Sequence, residues 1–178
     1  MNNEKLLNNL RCIQDFPKPG IQFQDVTTLF MNPECLRIMK DETVDLYKDK
    51  GITKIVGIES RGFILASSVA CELNAGVVLC RKPGKLPGDT IQETYTKEYG
   101  TDIIEIHKDS ITENDVVLIH DDLLATGGSM KAAYDLVSKF HPKKIYINFI
   151  IELCIEGLHG RELFKDCDTE ITTLLTIK

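Results

Sequence analysis

The sequence has six cysteines but lacks the spacings that would make them metal ligands or a redox pair. No CxxC motif occurs in its 178 residues, and no cysteine spacing matches a metal site. The opening residues, MNNEKLLNNLRC, lack the apolar core of a secretory signal peptide. We therefore expect reduced thiols, a cytosolic location, and no catalytic or metal-binding cysteine.

Long apolar runs and an excess of basic residues are missing too. No apolar stretch approaches the ~20 residues that cross a bilayer, which argues against a membrane partner. The net charge of -6 argues against nonspecific nucleic-acid binding, because that binding needs basic patches. No repeat, linker or low-complexity tract divides the chain, so residues 1–178 are expected to form one domain.

Short apolar runs that suit buried parallel strands alternate along the chain with segments of helical periodicity. The expected strands are residues 53–58, 76–81, 115–120 and 144–151, with a further strand at 101–107, and the expected helices are residues 62–73 and 127–140, with another from Asn32-Pro33 to Gly51. This alternation predicts an α/β fold with a parallel sheet flanked by helices. The polar residues 84–100 show no clear core face and predict either a functional loop or a floppy hairpin.

Two polar stretches, GIESRG (57–62) and HDDLLATGGS (120–129), fall at the carboxyl ends of expected strands, where ligands of such sheets bind. In the second stretch, small residues can cradle an anion with backbone N–H groups and two hydroxyls at the start of a helix. They are Ala125, Thr126, Gly127, Gly128 and Ser129. The stretch is neither a Walker P-loop nor a GxGxxG turn, and alone it fits a capping turn equally well.

Two adjacent acids, Asp121 and Asp122, precede this cradle and add a second feature to it. A ribose 5-phosphate has a matching layout, because its vicinal hydroxyls lie on one side and its phosphate on the other. The apolar strand, the two acids and ATGGS together resemble the phosphoribosyl pyrophosphate signature of the type I phosphoribosyltransferases. The resemblance implies that Asp121 and Asp122 face the sugar hydroxyls and the Mg²⁺ region, while residues 125–129 bind the phosphate.

The resemblance also implies the fold of that family and the way it holds its cofactor. The expected fold is an α/β parallel sheet flanked by helices, with a small N-terminal hood at about 12–30 and a flexible catalytic loop at about 84–102. Mg²⁺ would be held mainly by substrate oxygens and water, with no ligand set supplied by the protein.

Two further stretches match the family's pyrophosphate-binding segments. GIESRGF assigns pyrophosphate contact to Ser60, Arg61 and Gly62, with a cis peptide near Glu59-Ser60, although alone it is an ordinary capping turn. RKPGKLPGDT (81–90) resembles a stretch of adenine-specific members that meets pyrophosphate partly across a dimer interface, which implies a homodimer. The residues concerned are Arg81, Lys82 and Lys85, although a short basic cluster is most often a solvated turn.

The stretch YTKEYG (95–100) resembles the family's YxxEYG loop, which closes over the reacting centre. Glu98 then matches the catalytic glutamate, and Tyr99 matches a neighbour that covers the transition state. Without the resemblance, Glu98 is one of many exposed acids.

The stretch DFPKPGIQFQD (15–25) resembles the hood of adenine-specific members, and its alternative interpretation is a rigid N-terminal turn. Phe23 would stack on the purine, and backbone groups near Gln22 would read its edge. Leu153 matches an apolar residue on the opposite purine face. Gln24 stands where some relatives carry Arg, so a role of its side chain in adenine binding is open.

The resemblance as a whole implies a purine salvage enzyme that converts adenine and 5-phosphoribosyl 1-pyrophosphate to AMP and pyrophosphate. Two alternatives remain: an enzyme for another base, and a ligand-sensing regulator with the same fold, which would need a DNA-binding appendage and a basic face. Besides Gln24, three departures from the family's pattern are Pro83, Ser129 and His120. We interpret His120 as a strand-end residue, because the acid/base role already belongs to Glu98.

Overall fold

The α/β class predicted from the sequence is confirmed by the computed structural model, which describes residues 3–97, 100–155 and 157–178. Its helices are α1 (Asn3–Asn9), α2 (Thr27–Met31), α3 (Pro33–Tyr47), α4 (Gly62–Leu73) and α5 (Gly128–Ser138), with a short 3₁₀ helix at Gly160–Phe164. Its strands are β1 (Arg11–Gln14), β2 (Gln22–Asp25), β3 (Lys54–Ile58), β4 (Gly76–Cys80), β5 (Thr90–Lys97), β6 (Gly100–His107), β7 (Val116–Leu124), β8 (Lys144–Leu153) and β9 (Thr169–Ile177).

Five strands form a parallel sheet in the order β4-β3-β7-β8-β9. Two antiparallel hairpins accompany it, β1 with β2 in the hood and β5 with β6 after the sheet's edge strand. The strand β9, with the sequence TEITTLLTI, is not among the strands expected from the sequence. Threonines interrupt its apolar residues, and most of its positions are only half-buried. It therefore lacks the continuous apolar run by which the central strands were predicted.

A hydrophobic core lies on each face of the sheet. On one face, α5 and the β5–β6 hairpin bury Met130, Leu136 and Ile106 against the strands. On the other face, α2, α3 and α4 form a second core that includes Leu29, Met39 and Leu65. The sheet is therefore covered on both sides, as the apolar runs of its strands require.

Local capping chemistry sets the helix boundaries. The side chain of Asn32 accepts hydrogen bonds from the backbone N of Glu34 (3.0 Å) and of Cys35 (3.2 Å), and Pro33 occupies the first turn. The expected helix at 62–73 is confirmed, and it ends at Asn74 in the left-handed conformation (φ 54°), which asparagine tolerates better than most residues.

The strand expected at 115–120 continues to Leu124, so the interpretation of His120 as a strand-end residue is wrong. His120 is only 2% exposed, and its Nδ1 lies 2.8 Å from Oδ1 of Asn148. Burial lowers the pKa of His120 to about 4, so the ring is neutral at neutral pH. Asn148 donates to Thr172, which also hydrogen bonds Tyr47, so a buried polar chain links β7, β8, β9 and α3.

The polar segment 84–100 is more ordered than its sequence suggests. Residues Thr90–Lys97 form β5 and pair with β6, and Ile91 and Tyr95 pack against the core of the sheet. The expectation of no core face is therefore wrong, since two apolar residues on one face of an otherwise polar strand meet the core. Among the described residues, the helices are too short or too polar to cross a membrane.

Candidate active site

The site predicted from the sequence lies at the carboxyl ends of β3 and β7, where the strand order of the sheet reverses. β3 and β7 are neighbours, with Gly57 paired to His120, and the chain then leaves them toward opposite edges, β4 on one side and β8 on the other. Ligands of open α/β sheets bind in the crevice at such a switch point. The two loops expected to hold phosphate groups both start there.

These two loops approach each other closely. A Cβ atom on Gly62 would lie 2.7 Å from the carbonyl oxygen of His120 and 3.3 Å from Oδ1 of Asp121, so only glycine fits between the loop after β3 and the strand β7. The peptide bond Glu59-Ser60 is cis, as the family resemblance implied. The GIESRG loop and the acid pair are therefore parts of one site.

The acids Asp121 and Asp122 lie on β7 itself, rather than in the loop that the sequence suggested. The two side chains stay close to each other, since Oδ1 of Asp121 accepts from the backbone N of Asp122 at 2.9 Å. Asp122 is 5% exposed, and its Oδ2 lies 2.9 Å from Nε of Arg61 in an ion pair. Burial and the neighbouring Asp122 carboxylate raise the pKa of Asp121 above its usual value.

Arg61 links the acid pair to the hood. Its guanidinium carbon lies 6.0 Å from the ring centre of Phe23, within the range of a cation–π contact. Phe16 packs edge-to-face on Phe23, with 5.1 Å between the ring centres. Of the three residues assigned to the GIESRG loop, Arg61 therefore contacts Asp122 and the hood in this structure.

The hood places its adenine-specific motif on a fixed turn. The side chain of Asp15 accepts from the backbone N of Gly20 (2.7 Å), and the N of Ile21 donates to the carbonyl of Lys18 (3.2 Å). β2 follows directly, with Gln22 exposed, Phe23 half-buried and Gln24 buried. The backbone of the motif is thereby held in one arrangement.

The side chain of Gln24 does not point to open space. It is 8% exposed, and its Nε2 lies 3.6 Å from Sγ of Cys12 across the hood hairpin. A buried amide engaged inside the hood is less available to a ligand than the backbone beside it.

The small residues expected to bind an anion follow β7 and lead into α5. Gly127, at the start of α5, has φ +81°, a left-handed conformation that glycine adopts without strain. Among the described residues no side chain hydrogen bonds to cap α5, whose N-cap is Gly127, so the first N–H groups of the helix can bind an anion. Thr126 is exposed and Ser129 half-buried, so both hydroxyls lie near the surface of this loop.

Gly160 supports this anion loop from behind, and sequence reasoning missed it. Its N donates to the carbonyl of Ala125 (3.1 Å), and a Cβ on Gly160 would lie 2.4 Å from that oxygen. A Cβ on Gly127 would in turn lie 2.7 Å from the carbonyl of Gly160. The only signal in the sequence was an isolated glycine after the last long strand.

The basic loop is joined to the GIESRG loop through Glu59, a residue to which the sequence assigned no role. Two nitrogens of Arg81 donate to the two carboxylate oxygens of Glu59, each at 3.2 Å, and the backbone N of Lys82 donates to it at 3.0 Å. The Arg81 guanidinium lowers the pKa of Glu59. Arg81 is thus engaged with the protein, whereas Lys82 and Lys85 are exposed.

Leu153 ends β8 and packs against the core that includes Val26 and Leu29 of the hood side. It also lines a cavity of about 320 Å³ between the end of β8 and the 3₁₀ helix. The wall of that cavity is held by Arg161, whose Nε donates to Oε1 of Glu152 at 2.8 Å. Leu153 therefore lies on the same face of the sheet as the hood.

The residues predicted to be catalytic, Glu98 and Tyr99, lie outside the described residues. The strands on either side of them are described, and Lys97 pairs with Gly100. Within the described ranges, no group of three or more His, Cys, Asp and Glu side chains is arranged to hold a metal ion.

The site thus combines two loops able to bind anions, an acid pair between them, and an aromatic hood. A model described as a phosphoribosyl transferase domain matches residues 25–177, so the fold and site define a phosphoribosyltransferase. An adenine phosphoribosyltransferase of Phocaeicola vulgatus is 62% identical over 99% of this chain and 100% of its own.

Two solved structures are also similar to this chain. The adenine phosphoribosyltransferase of Rhodothermus marinus has a TM-score of 0.89 and 45% identity, over 98% of this chain and 97% of its own. The enzyme of Giardia lamblia, solved with 9-deazaadenine, has a TM-score of 0.90 and 41% identity, over 100% of this chain and 99% of its own. The chain belongs to the adenine phosphoribosyltransferase family.

Proposed function

We propose a separate role for each element of this site in the reaction of an adenine phosphoribosyltransferase. The chain converts adenine and 5-phosphoribosyl 1-pyrophosphate to AMP and pyrophosphate in purine salvage. The observation that carries the division of roles is the contact of Gly62 with β7, because it brings two anion-binding loops together at the acid pair.

The donor would lie along the switch point with its two charged ends in different loops. The loop Ala125–Ser129 takes the 5-phosphate, because its open N–H groups and hydroxyls suit an anion at a helix start. The loop Ser60–Gly62, with Lys82 and Lys85, takes the pyrophosphate end. Asp121 and Asp122 lie between these loops and meet the ribose hydroxyls.

The base would bind between the hood and the end of β8, with Phe23 on one face and Leu153 on the other. Adenine N9 attacks the anomeric carbon as the bond to pyrophosphate breaks, and positive charge develops on the ribose ring. The carboxylates of Asp121 and Asp122 favour that charge electrostatically. Glu98 handles the proton at adenine N7, and Tyr99 covers the reacting centre.

Arg61 is proposed to change partners during this reaction. Its ion pair with Asp122 occupies both groups in this structure. Pyrophosphate carries more negative charge than one carboxylate, so its arrival would draw Arg61 away and leave Asp122 to the ribose. Arg61 would therefore bind Asp122 before the donor arrives, and it would bind the pyrophosphate group once the donor is in place.

Mg²⁺ fits the donor atoms that the site offers. The acid pair presents carboxylate oxygens, which Mg²⁺ prefers. Burial and, after it, the neighbouring Asp122 carboxylate raise the pKa of Asp121, and a nearby cation would offset the repulsion between the two acids. Mg²⁺ would be held mainly by substrate oxygens and water, with Asp121 and Asp122 facing the region it occupies. When bound, the ion offsets the charge of the leaving pyrophosphate.

We also propose a cytoplasmic homodimer built from one domain per chain. Both hydrophobic cores pack on the same sheet, which supports one domain with a hood at about 12–30 and a catalytic loop at about 84–102. Three apolar side chains on α4 and the edge strand β4 are about 40% exposed, and they suit burial against a second copy. They are Ile64, Val77 and Leu79.

The test of this proposal is AMP formation from adenine and 5-phosphoribosyl 1-pyrophosphate, measured with Mg²⁺ and after its removal by a chelator. We expect turnover only with Mg²⁺. Ser129→Ala should weaken donor and AMP binding by about 1–3 kcal/mol, one hydrogen bond to a charged group, and Asp122→Asn should also lower kcat. Equal effects of both variants on affinity alone would contradict the assigned ends of the donor.

A further prediction concerns Gly160, which can pack against the phosphate loop only because it has no side chain. Gly160→Ala should weaken AMP binding by roughly 10–100-fold, because the added methyl group overlaps the carbonyl of Ala125 and displaces the phosphate loop. Calorimetric titration with AMP measures the effect. Gly76→Ala is the matched control, since its methyl group would meet only the flexible end of Lys54. Unchanged AMP affinity in a folded Gly160→Ala protein would show that the loop does not depend on this packing.

A further inference from the structure

Glu105 is a buried acid that the proposed reaction does not use. It lies in β6 and is 2% exposed. Burying a carboxylate is unfavourable unless hydrogen-bond donors surround it. The donors around Glu105 therefore indicate which segment it positions.

Those partners come from the basic loop and from the strand that follows it. Oε1 of Glu105 accepts from the backbone N of Leu86 at 3.4 Å. Oε2 accepts from Oγ1 of Thr90 at 3.1 Å and from Nε2 of Gln92 at 3.0 Å. Burial alone would raise the pKa of Glu105, but these hydrogen bonds lower it below its usual value, so the group is a carboxylate.

The backbone of Glu105 holds the beginning of the same loop. The N of Arg81 donates to the carbonyl of Glu105 at 2.9 Å, and the N of Glu105 donates to the carbonyl of Arg81 at 2.7 Å. One residue therefore fixes the loop where it leaves the sheet, near its middle at Leu86, and where it enters β5 at Thr90.

The donors around this carboxylate are neutral groups, which matters for the charge of the loop. A salt bridge to Lys82 or Lys85 would neutralise a cation that pyrophosphate needs. Holding the loop through amide and hydroxyl donors keeps its shape and leaves both ammonium groups at the surface, where that of Lys82 makes a long ion pair, 3.9 Å, with Oδ2 of Asp102.

We propose that Glu105 is a positioning residue for pyrophosphate binding, and that it sets the geometry of the basic loop without touching the substrate. The inference rests on the proposed role of Lys82 and Lys85. Because Glu105 also binds Thr90 and Gln92 at the start of β5, it ties the basic loop to the hairpin that leads to Glu98.

The test is the split between two Michaelis constants in Glu105→Gln. The amide keeps the size of the side chain but turns one acceptor into a donor that faces the donors of Thr90 and Gln92. We expect the KM for 5-phosphoribosyl 1-pyrophosphate to rise roughly tenfold or more, and the KM for adenine to stay within about twofold. A purely structural role would instead lower the melting temperature and change both constants alike.

Three further variants make the result decisive. Glu93→Gln is the matched control, since Glu93 lies in the same hairpin but pairs with Lys139 (2.6 Å), and it should leave both constants unchanged. Thr90→Val removes one donor to Glu105 at constant size, and it should give a smaller rise even if Glu105→Gln does not fold. Lys85→Ala should raise the KM for the donor directly.

The outcomes distinguish the positioning role of Glu105 from the pyrophosphate-binding role of the basic loop. If Lys85→Ala raises the donor KM while Glu105→Gln and Thr90→Val do not, the positioning role of Glu105 is overturned and the loop keeps its proposed function. If Lys85→Ala has no effect, the pyrophosphate role of the loop fails, and the inference fails with it.

Discussion

Glu98→Gln is expected to lower kcat by roughly 10²–10⁴, the usual contribution of one positioned acid/base group. The glutamine amide cannot take up or release the proton at adenine N7. The hairpin that carries residue 98 is anchored, since Ile91 and Tyr95 pack against the core and Lys97 pairs with Gly100. The KM for 5-phosphoribosyl 1-pyrophosphate should change little, because Glu98 is assigned to the base. Steady-state kinetics with each substrate varied in turn measures both effects.

The comparison with Glu93→Gln controls for the loss of an acid elsewhere in this hairpin. Glu93 pairs with Lys139 of α5, so its replacement should affect the hairpin's packing and leave kcat nearly unchanged. A kcat of Glu98→Gln within about threefold of the wild-type value would remove Glu98 from the mechanism.

The central strands and the three longer helices, α3, α4 and α5, were predictable because each follows from a local pattern, whereas the short helices α1 and α2 were not predicted. Continuous apolar runs predicted β3, β4, β7 and β8, and the helix at 62–73 was predicted with its observed boundaries. β5 and β9 were missed because their sequences are mostly polar. Their strand conformation depends on pairing and packing with distant segments, which local propensity does not reveal.

In the site, too, the features that follow from a local motif were predictable and the others were not. Motifs placed the two loops at strand ends, and β3 and β7 bring them together, but the acids lie within β7 and not after it. The roles of Glu59, Glu105 and Gly160 were not predictable, since each depends on contacts with residues distant in sequence. A buried acid or an isolated glycine has no signature in the sequence until the fold supplies its neighbours.

Adenine should be preferred over hypoxanthine and guanine by ~10⁴ or more in kcat/KM, as in sites that read a base edge with fixed polar groups. Adenine presents an amino donor at position 6 and an acceptor at N1, whereas the 6-oxopurines present the reverse. The turn before β2 is held by the Asp15–Gly20 and Ile21–Lys18 hydrogen bonds, so the backbone groups near Gln22 keep their polarity. A 6-oxopurine would leave two buried groups unpaired, at a cost on the order of 1–3 kcal/mol each.

Gln24→Ala distinguishes this backbone readout from a side-chain readout. The side chain of Gln24 is buried against Cys12, so its removal should leave the preference for adenine intact, and Gln22→Ala at the exposed neighbouring position provides the matched control. The measurement is kcat/KM for adenine, hypoxanthine and guanine in the wild type and both variants. Hypoxanthine within about tenfold of adenine in the wild type would contradict the readout of the purine edge by fixed groups. A loss of selectivity confined to Gln24→Ala would move that readout from the backbone to the Gln24 amide, whose oxygen and nitrogen can exchange places by rotation.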